Sequence, residues 1–203
     1  MPRVVGQIDQ AKSQAILDAA AEVLGTGGLS APMDEIARRA CVSKQTIYNH
    51  YGSKAELIRA IVDRRVEEIA APLLAPGAQD HPQEALAGFG RVMLELVLRP
   101  LGRSMLKMTV QAADDMPDLA RAFYEAGPKT SRRRLAEFLR EETLAGRLAV
   151  DDPDQAADFF AGMVIGVRQI AGLLGVEQAA EPEVIERVAQ EAARRFLRAY
   201  GVD

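Results

Sequence analysis

The chain has 203 residues, of which 48% are hydrophobic and 27% are charged, close to the average for globular proteins, so a wholly disordered chain and a collagen-like repeat are excluded. Cys41 is the single cysteine, which excludes an intrachain disulfide scaffold. The net charge of −4 argues against a protein that coats nucleic acid nonspecifically.

Apolar residues recur at helical spacing along the chain, and strand-like alternation is scarce. The first predicted helix covers about 11–24 and stops at the glycines that follow, and the next three cover about 32–40, 44–51 and 54–74. Pro32 suits a first helical turn, Ser43 can cap the third helix, and Ser53 forms a capping box with Glu56. The fourth helix carries one long apolar stripe, made of Leu57, Ile58, Ile61, Val62, Val66, Ile69 and Leu73.

A linker rich in proline and glycine at 75–82 separates this part from a larger helical region. Further helices are predicted at about 83–98, 102–113, 117–126, 128–145, 153–174 and 182–200. The predicted fold is therefore all-α, with an N-terminal three-helix helix-turn-helix domain (1–53) followed by a C-terminal helical bundle (54–203). Helix 54–74 connects the two.

The stretch 38–54 is basic and contains no acidic residue. Its two short helices are joined by about three residues, which matches helix-turn-helix geometry. On the second helix, Ile47 and Tyr51 share the inward face, and four polar side chains able to reach base edges share the outer face: Lys44, Gln45, Tyr48 and Asn49. Lys54 begins the next helix, where the helix dipole also favours a phosphate. The alternative interpretation of this stretch is an ordinary solvated charged face.

Residues of about 11–57 resemble the N-terminal domain of the TetR/AcrR family of bacterial transcriptional regulators. The matching features are Ile16-Leu17-x-Ala19-Ala20, Gly28, Ile36-Ala37, Ala40-x-Val42-Ser43, Thr46-Ile47-Tyr48-x-His50 and Lys54-x-x-Leu57. The resemblance implies that Thr46, Tyr48, His50 and Lys54 contact DNA phosphates. It also implies that Lys44, Gln45 and Asn49 face the bases.

The same resemblance implies a homodimer on double-stranded, palindromic operator DNA and a C-terminal pocket for a small-molecule effector of unknown identity. We therefore expect a one-component regulator, a repressor rather than an activator, with no cofactor; a protein of the same fold without an effector is the first alternative. Three positions depart from the family pattern. Ser13 stands where arginine is frequent, Cys41 where glycine is usual, and Tyr51 where phenylalanine is common.

Other chemistry has weaker support in the sequence. Cys41 suits either a redox switch or a small residue packed at the turn, and we favour the second. His50 and His81 lie in different segments, so we expect no metal site and no catalytic residues. Asp114, Asp115 and Asp118 spell the DDxxD motif of all-helical, Mg²⁺-dependent prenyl-diphosphate enzymes, which is the alternative function. A cap at Asp115 before the helix that Pro117 starts is the simpler interpretation.

The helix predicted at 153–174 is apolar on nearly every side, so we expect it to contact both its own bundle and a second subunit. The predicted dimer interface comprises Phe159, Gly162, Ile165, Gly166, Ile185, Val188 and Phe196; a monomeric core is the alternative. The predicted effector pocket comprises Phe89, Met93, Met105, Met108, Gln111 and Phe123. Lys107, Gln111 and Arg168 are candidates to hold a polar or acidic ligand group.

The start of the chain lacks the apolar core of a secretory signal. Its most apolar run has nine residues, from Phe159 to Val167, whereas a membrane span needs roughly 20. We therefore expect a cytoplasmic protein with no membrane partner.

Overall fold

A computed structural model of the protein describes residues 10–28, 31–176 and 181–202. These residues form eleven α-helices and no β-strand. The helices are α1 (Gln10–Gly27), α2 (Met33–Arg39), α3 (Lys44–Tyr51), α4 (Lys54–Ala70), α5 (Pro82–Leu98), α6 (Pro100–Gln111), α7 (Pro117–Tyr124), α8 (Thr130–Leu144), α9 (Pro153–Ile165), α10 (Arg168–Leu174) and α11 (Pro182–Tyr200). The all-α prediction is confirmed, and the bounds predicted for α3 and α11 agree with the structure.

The first hydrophobic core lies between α1, α2, α3 and the first half of α4. Ile16, Leu24, Ile36, Ile47 and Leu57 are fully buried there. Met105 of α6 and Ala126 also belong to this core, so the second half of the chain packs directly against the N-terminal helices. At Gly25 of α1, a Cβ atom would lie 2.5 Å from Cδ1 of Leu101. A larger residue at this position would make the end of the Leu101 side chain shift, so glycine lets α6 pack closely against α1. α1 continues through Gly25 instead of ending before it.

The second core lies between α5, α8, α9 and α11, with the end of α4 against it. Three phenylalanines form its centre: the ring centroid of Phe160 lies 6.2 Å from that of Phe89 and 5.3 Å from that of Phe196. The apolar stripe of α4 is buried along its whole length. Its N-terminal half belongs to the first core, and Ile69 belongs to the second, as does Leu73 just after the helix. This one helix therefore connects the two halves of the molecule.

At three further places the structure departs from a predicted helix at or beside a proline or a glycine. α4 ends at Ala70 and tightens into a 3₁₀ turn (Ala71–Leu74) that contains Pro72. α8 begins only at Thr130, after a π-turn (Glu125–Lys129) in which Pro128 has no N–H group for a regular helical bond. The single helix predicted at 153–174 is wrong, because Gly166 adopts φ 50° and ψ −142°, a conformation essentially restricted to glycine. α9 and α10 therefore meet at a bend of 52°.

Candidate nucleic-acid interface and effector cavity

Two serine caps fix the ends of the helix-turn-helix. The Ser43 hydroxyl accepts a hydrogen bond from the Thr46 backbone N–H at 3.0 Å and starts α3. The Ser53 hydroxyl accepts one from the Glu56 backbone N–H at 3.1 Å and starts α4. The second cap is half of the predicted capping box, because the Ser53 N–H donates to the Tyr51 carbonyl instead of to Glu56.

The outer face of α3 carries the four polar side chains that the sequence assigns to it, and all four are exposed: Lys44, Gln45, Tyr48 and Asn49. Gln45 Nε2 donates to Asn49 Oδ1 at 2.7 Å, which holds the two amides side by side. Lys44 Nζ lies 2.9 Å from Asp34 Oδ2 of α2, and this hydrogen bond raises the pKa of Lys44. Sequence reasoning missed the Asp34 contact, since it joins two helices across the turn.

Of the side chains assigned to phosphates, Tyr48 is exposed on the outer face, and Thr46, His50 and Lys54 are only partly exposed. The Thr46 and Ser43 hydroxyls are hydrogen-bonded at 2.7 Å, and the His50 ring packs edge-on against Tyr51 with centroids 4.6 Å apart. Lys54 Nζ donates to the Ala31 carbonyl at 2.6 Å, and partial burial lowers the pKa of its ammonium group. Lys54 therefore also ties the start of α4 to the segment before α2.

The three departures from the family pattern have a structural account. Ser13 Oγ and Tyr51 Oη form a 3.0 Å hydrogen bond between α1 and α3, so two of the substitutions form one new contact. Cys41 adopts φ 53°, the left-handed region that favours glycine. Its side chain is exposed, so the expectation that it packs at the turn is wrong.

A cavity of about 330 Å³ lies between the two cores. α4, α5 and α6 form most of its wall, and the end of α7, the π-turn, α8, α9 and the start of α10 complete it. The lining is mainly apolar, with Met93, Met105 and Phe123 among the side chains that face it, as the sequence analysis predicts for a pocket. Sequence reasoning missed the contribution of α4, because Ile61, Val66 and Ile69 have the spacing of ordinary core residues.

The other predicted pocket residues lie elsewhere. Phe89 is fully buried in the second core, Met108 packs against the first core, and Gln111 is exposed at the end of α6. Lys107 is exposed, and neither it nor Arg168 lines the cavity. The charged residues that line it are instead Arg65, Arg99 and Arg132. Helix periodicity could not identify them, because their positions depend on how four helices pack together.

An apolar surface remains uncovered on α9 and α10. Its members are Phe159 at 51% exposure, Met163 at 44%, Val167 at 75%, Ile170 at 61% and Leu174 at 72%. Gly162 lies on the same surface, and a Cβ atom there would meet nothing within 4 Å. We call this set of residues, with Gly162, the α9–α10 surface.

The structure removes two residues from the predicted dimer interface and changes the surroundings of two others. Ile185 and Phe196 are buried in the core of the chain itself, so they have no surface to offer a partner. Ile165 packs against the same core and lines the cavity. Gly166 is the C-cap of α9, so it does not lie on one continuous helical face with Gly162. Val188 is half-buried on α11 and lies beside Met163 around a shallow surface depression.

Comparison with known proteins decides the family. A model described as "Bacterial regulatory proteins, tetR family" matches residues 16–61, and one described as "AefR-like transcriptional repressor, C-terminal domain" matches residues 84–202, more than half of the chain. The chain belongs to the TetR family. It is therefore a DNA-binding transcriptional regulator with a helix-turn-helix, as the resemblance of residues 11–57 implied.

Individual relatives agree with this assignment. The chain is 32% identical to the solved structure of the "Flavonoid-responsive Regulator FrrA", with a TM-score of 0.68 over 95% of this chain and 98% of FrrA. A regulator structure from Mesorhizobium loti, at 24% identity, shares the fold with a TM-score of 0.75 over 96% of this chain and 100% of that one. The transcriptional activator FasR of Mycolicibacterium smegmatis is 38% identical over 63 residues, only 31% of this chain and 29% of FasR.

Membership in the TetR family argues against the prenyl-diphosphate alternative, since the family and its relatives here are regulators and not enzymes. Asp114, Asp115 and Asp118 lie exposed at the start of α7. The predicted cap at Asp115 is wrong, because Met116 occupies the N-cap position and no side chain caps that helix. Among the described residues no cluster of acids, histidines or cysteine has a geometry able to hold a metal ion.

Within the described ranges, no single helix is long and apolar enough to span a membrane. α9 and α10 taken together have the length and apolar composition of a membrane span, but they are bent by 52° where they meet.

Proposed function

We propose that this TetR-family regulator is a repressor that binds a palindromic operator as a homodimer and leaves it when a small molecule enters the cavity. In this proposal the helix-turn-helix domain (1–53) binds DNA, and the C-terminal domain (54–203) binds the effector and the second subunit. The observation that carries the proposal is the position of α4. This helix starts at Lys54, beside the recognition helix α3, and its Ile61, Val66 and Ile69 line the cavity.

The outer face of α3 supports direct readout of bases. Gln45 and Asn49 are exposed neighbours, and such amides recognise adenine through paired hydrogen bonds in the major groove. We propose Lys44 as the third base-facing residue, with Thr46, Tyr48, His50 and Lys54 on the phosphates. To contact DNA, Lys44 would exchange its hydrogen bond with Asp34 for one with a DNA acceptor. Asp34 would therefore lower the affinity for all DNA, and DNA sequences that offer Lys44 no good acceptor would bind least well.

The α9–α10 surface supports the homodimer. Large contiguous apolar patches are uncommon on monomers and mark protein–protein contacts. Gly162 would let a partner helix approach closely, and Val188 extends the contact onto α11. Two identical surfaces related by a twofold axis would place two recognition helices on one side of the duplex.

Contacts along α4 support the coupling between cavity and DNA. Arg64 of α4 is paired with Asp18 of α1 at 2.7 Å, and Glu67 of α4 is paired with Arg134 of α8 at 2.9 Å. At about 1.5 Å per residue, α4 spans roughly 25 Å and transmits a displacement along its length. An effector that stabilises a different position of α4 would change the separation of the two α3 recognition helices in the dimer without unfolding either domain.

The direction of regulation and the effector class also have support. The matching C-terminal model is that of a repressor. The apolar lining favours an apolar or amphipathic effector, and the flexible methionines adapt to its shape. FrrA is described as flavonoid-responsive, so aromatic compounds are the first candidates to screen here.

The experiment is a titration of the purified protein on DNA from upstream of its own gene. We expect protection of a palindrome whose half-site centres lie about 34–36 Å apart, or about 10 base pairs. A true effector lowers operator affinity by about 1–3 kcal/mol, and operator DNA must weaken effector binding by the same factor. A compound that binds equally well with and without operator is not the effector. Specific binding by a monomer to a single half-site would refute the dimer model.

A further inference from the structure

The mainly apolar cavity is lined by positively charged side chains, which binding of a purely apolar ligand would not need. Arg65, Arg99 and Arg132 line it, and no Asp or Glu is among the described residues that do. Arg65 and Arg132 are only partly exposed beside this apolar space, with 28% and 35% of their side chains accessible, and a charged group in such a place favours an ionic partner. We propose that the effector is an amphipathic anion, with an apolar body between α4, α5 and α6 and one carboxylate or similar acidic group on these arginines. This inference rests on the proposed effector role of the cavity.

The hydrogen bonds of the arginines leave donors for such a group. Arg65 uses only Nη1 toward Glu68, at 2.8 and 3.1 Å, so within the described chain its Nε and Nη2 are open to another acceptor. Arg132 is paired with Asp158 through Nε, at 2.9 Å, which leaves its two terminal nitrogens. Two nitrogens on one planar guanidinium match the two oxygens of a carboxylate.

Arg99 is the weaker candidate, since it is more exposed and lies 3.5 Å from Glu95. The acids that pair with these arginines hold the long side chains in place, and they lie outside the cavity lining. They therefore orient the arginines, and only the arginine of each ion pair lines the cavity.

The remaining polar groups point to the same ligand class. The buried Ser131 hydroxyl donates to the Gly127 carbonyl at 3.1 Å, so its one proton is already used. Tyr124 and Gln169 also line the cavity and can donate hydrogen bonds, but both are neutral, so the charged donors toward a ligand are the arginines. A cationic ligand would meet like charges, and a neutral one would leave the open guanidinium nitrogens of Arg65 and Arg132 without an ionic acceptor.

Two fluorescent dyes of matched shape test the charge. 1-Anilinonaphthalene-8-sulfonate is an amphipathic anion, and N-phenyl-1-naphthylamine is the same aromatic amine without the sulfonate. Both fluoresce on entering an apolar environment. The wild-type protein should bind the sulfonate at least about tenfold more tightly than the neutral dye. Added NaCl should weaken the binding of the sulfonate alone.

Variants assign the preference to the arginines. In the double variant Arg65→Gln/Arg132→Gln the two dyes should bind within about twofold of each other, because the ionic contacts are lost and the apolar lining is kept. Arg133→Gln is the matched control: Arg133 lies on the same helix, 63% exposed and outside the cavity, and its loss should change neither affinity. Circular dichroism establishes that each variant is folded.

A third variant separates this inference from the function on which it rests. Leu96→Trp should fill the cavity and abolish the binding of both dyes. If neither dye responds to Leu96→Trp, the cavity does not bind ligands, and the proposed effector site fails. If both respond but the sulfonate binds no more tightly than the neutral dye, or keeps its preference in the double variant, the cavity is a ligand site and the anionic class is refuted.

Discussion

Replacing Phe159 on the α9–α10 surface tests the proposed homodimer most directly. The side chain is 51% exposed in the single chain, although phenylalanine is among the most apolar residues. A dimer that covers this surface would remove that exposed half from water in both subunits. We choose Phe159→Ser because serine leaves no apolar ring to cover and introduces no charge.

The magnitude follows from the exposed area. A phenylalanine side chain presents roughly 200 Å², so about 100 Å² per subunit would be buried by dimerisation. At about 25 cal/mol per Å² this corresponds to about 2.5 kcal/mol per subunit, or about 5 kcal/mol for the twofold-related pair. Incomplete burial reduces this figure. We therefore expect the dimer dissociation constant to rise on the order of 10² to 10³-fold.

Sedimentation equilibrium over a range of concentrations measures this constant, and gel-shift titration measures operator binding in parallel. Met116→Ser is the matched control, because Met116 is also 51% exposed but lies before α7, outside the α9–α10 surface. Operator affinity should fall with the dimer in Phe159→Ser and stay unchanged in Met116→Ser. A wild-type protein that is monomeric at micromolar concentration, or a Phe159→Ser protein that dimerises normally, would refute the reasoning.

Three further predictions concern the recognition helix, its turn and the wall of the cavity. Lys54→Ala should lower operator affinity about equally for all sequences and reduce the salt dependence of binding by about one ion per subunit. It should also lower the free energy of unfolding by about 0.5–1.5 kcal/mol, because the hydrogen bond to Ala31 is lost. Gln45→Ala should instead change the preference between bases by roughly 1–3 kcal/mol. Salt-dependent titrations on wild-type and altered operators separate the two roles; a change of base preference in Lys54→Ala would contradict the assignment. Cys41→Gly should raise the free energy of urea unfolding by about 0.5–1 kcal/mol, because φ 53° is strained for cysteine, and an unchanged or lower value would show that the turn is not strained. Gly127→Ala would place a Cβ 3.0 Å from Cγ1 of Val62, so it should displace α4 and weaken operator binding without effector; unchanged affinity in a folded variant would argue against coupling through this contact.

Local sequence signals were sufficient where neighbouring residues determine the structure. Ser43 and Ser53 cap the helices that they precede, and α3 has its predicted bounds, because a cap and its N–H partner lie within three residues of each other. The spacing along α4 likewise identified the residues that are buried. The recognition-helix face follows from the same periodicity, so the candidate DNA contacts were available from the sequence.

Contacts between distant segments were decided only by the tertiary structure. The pairing of Ser13 with Tyr51 joins residues 38 positions apart, and no local pattern specifies it. Gly166 resembles any helical glycine in sequence, yet its backbone conformation divides the predicted helix in two. Phe159 and Phe160 are adjacent and equally apolar, but one is half exposed and the other fully buried, because the packing of α5 and α11 determines which face of α9 is covered. The charge of the cavity depends on the same packing, since Arg65 and Arg132 come from different helices and share one wall only after the chain has folded.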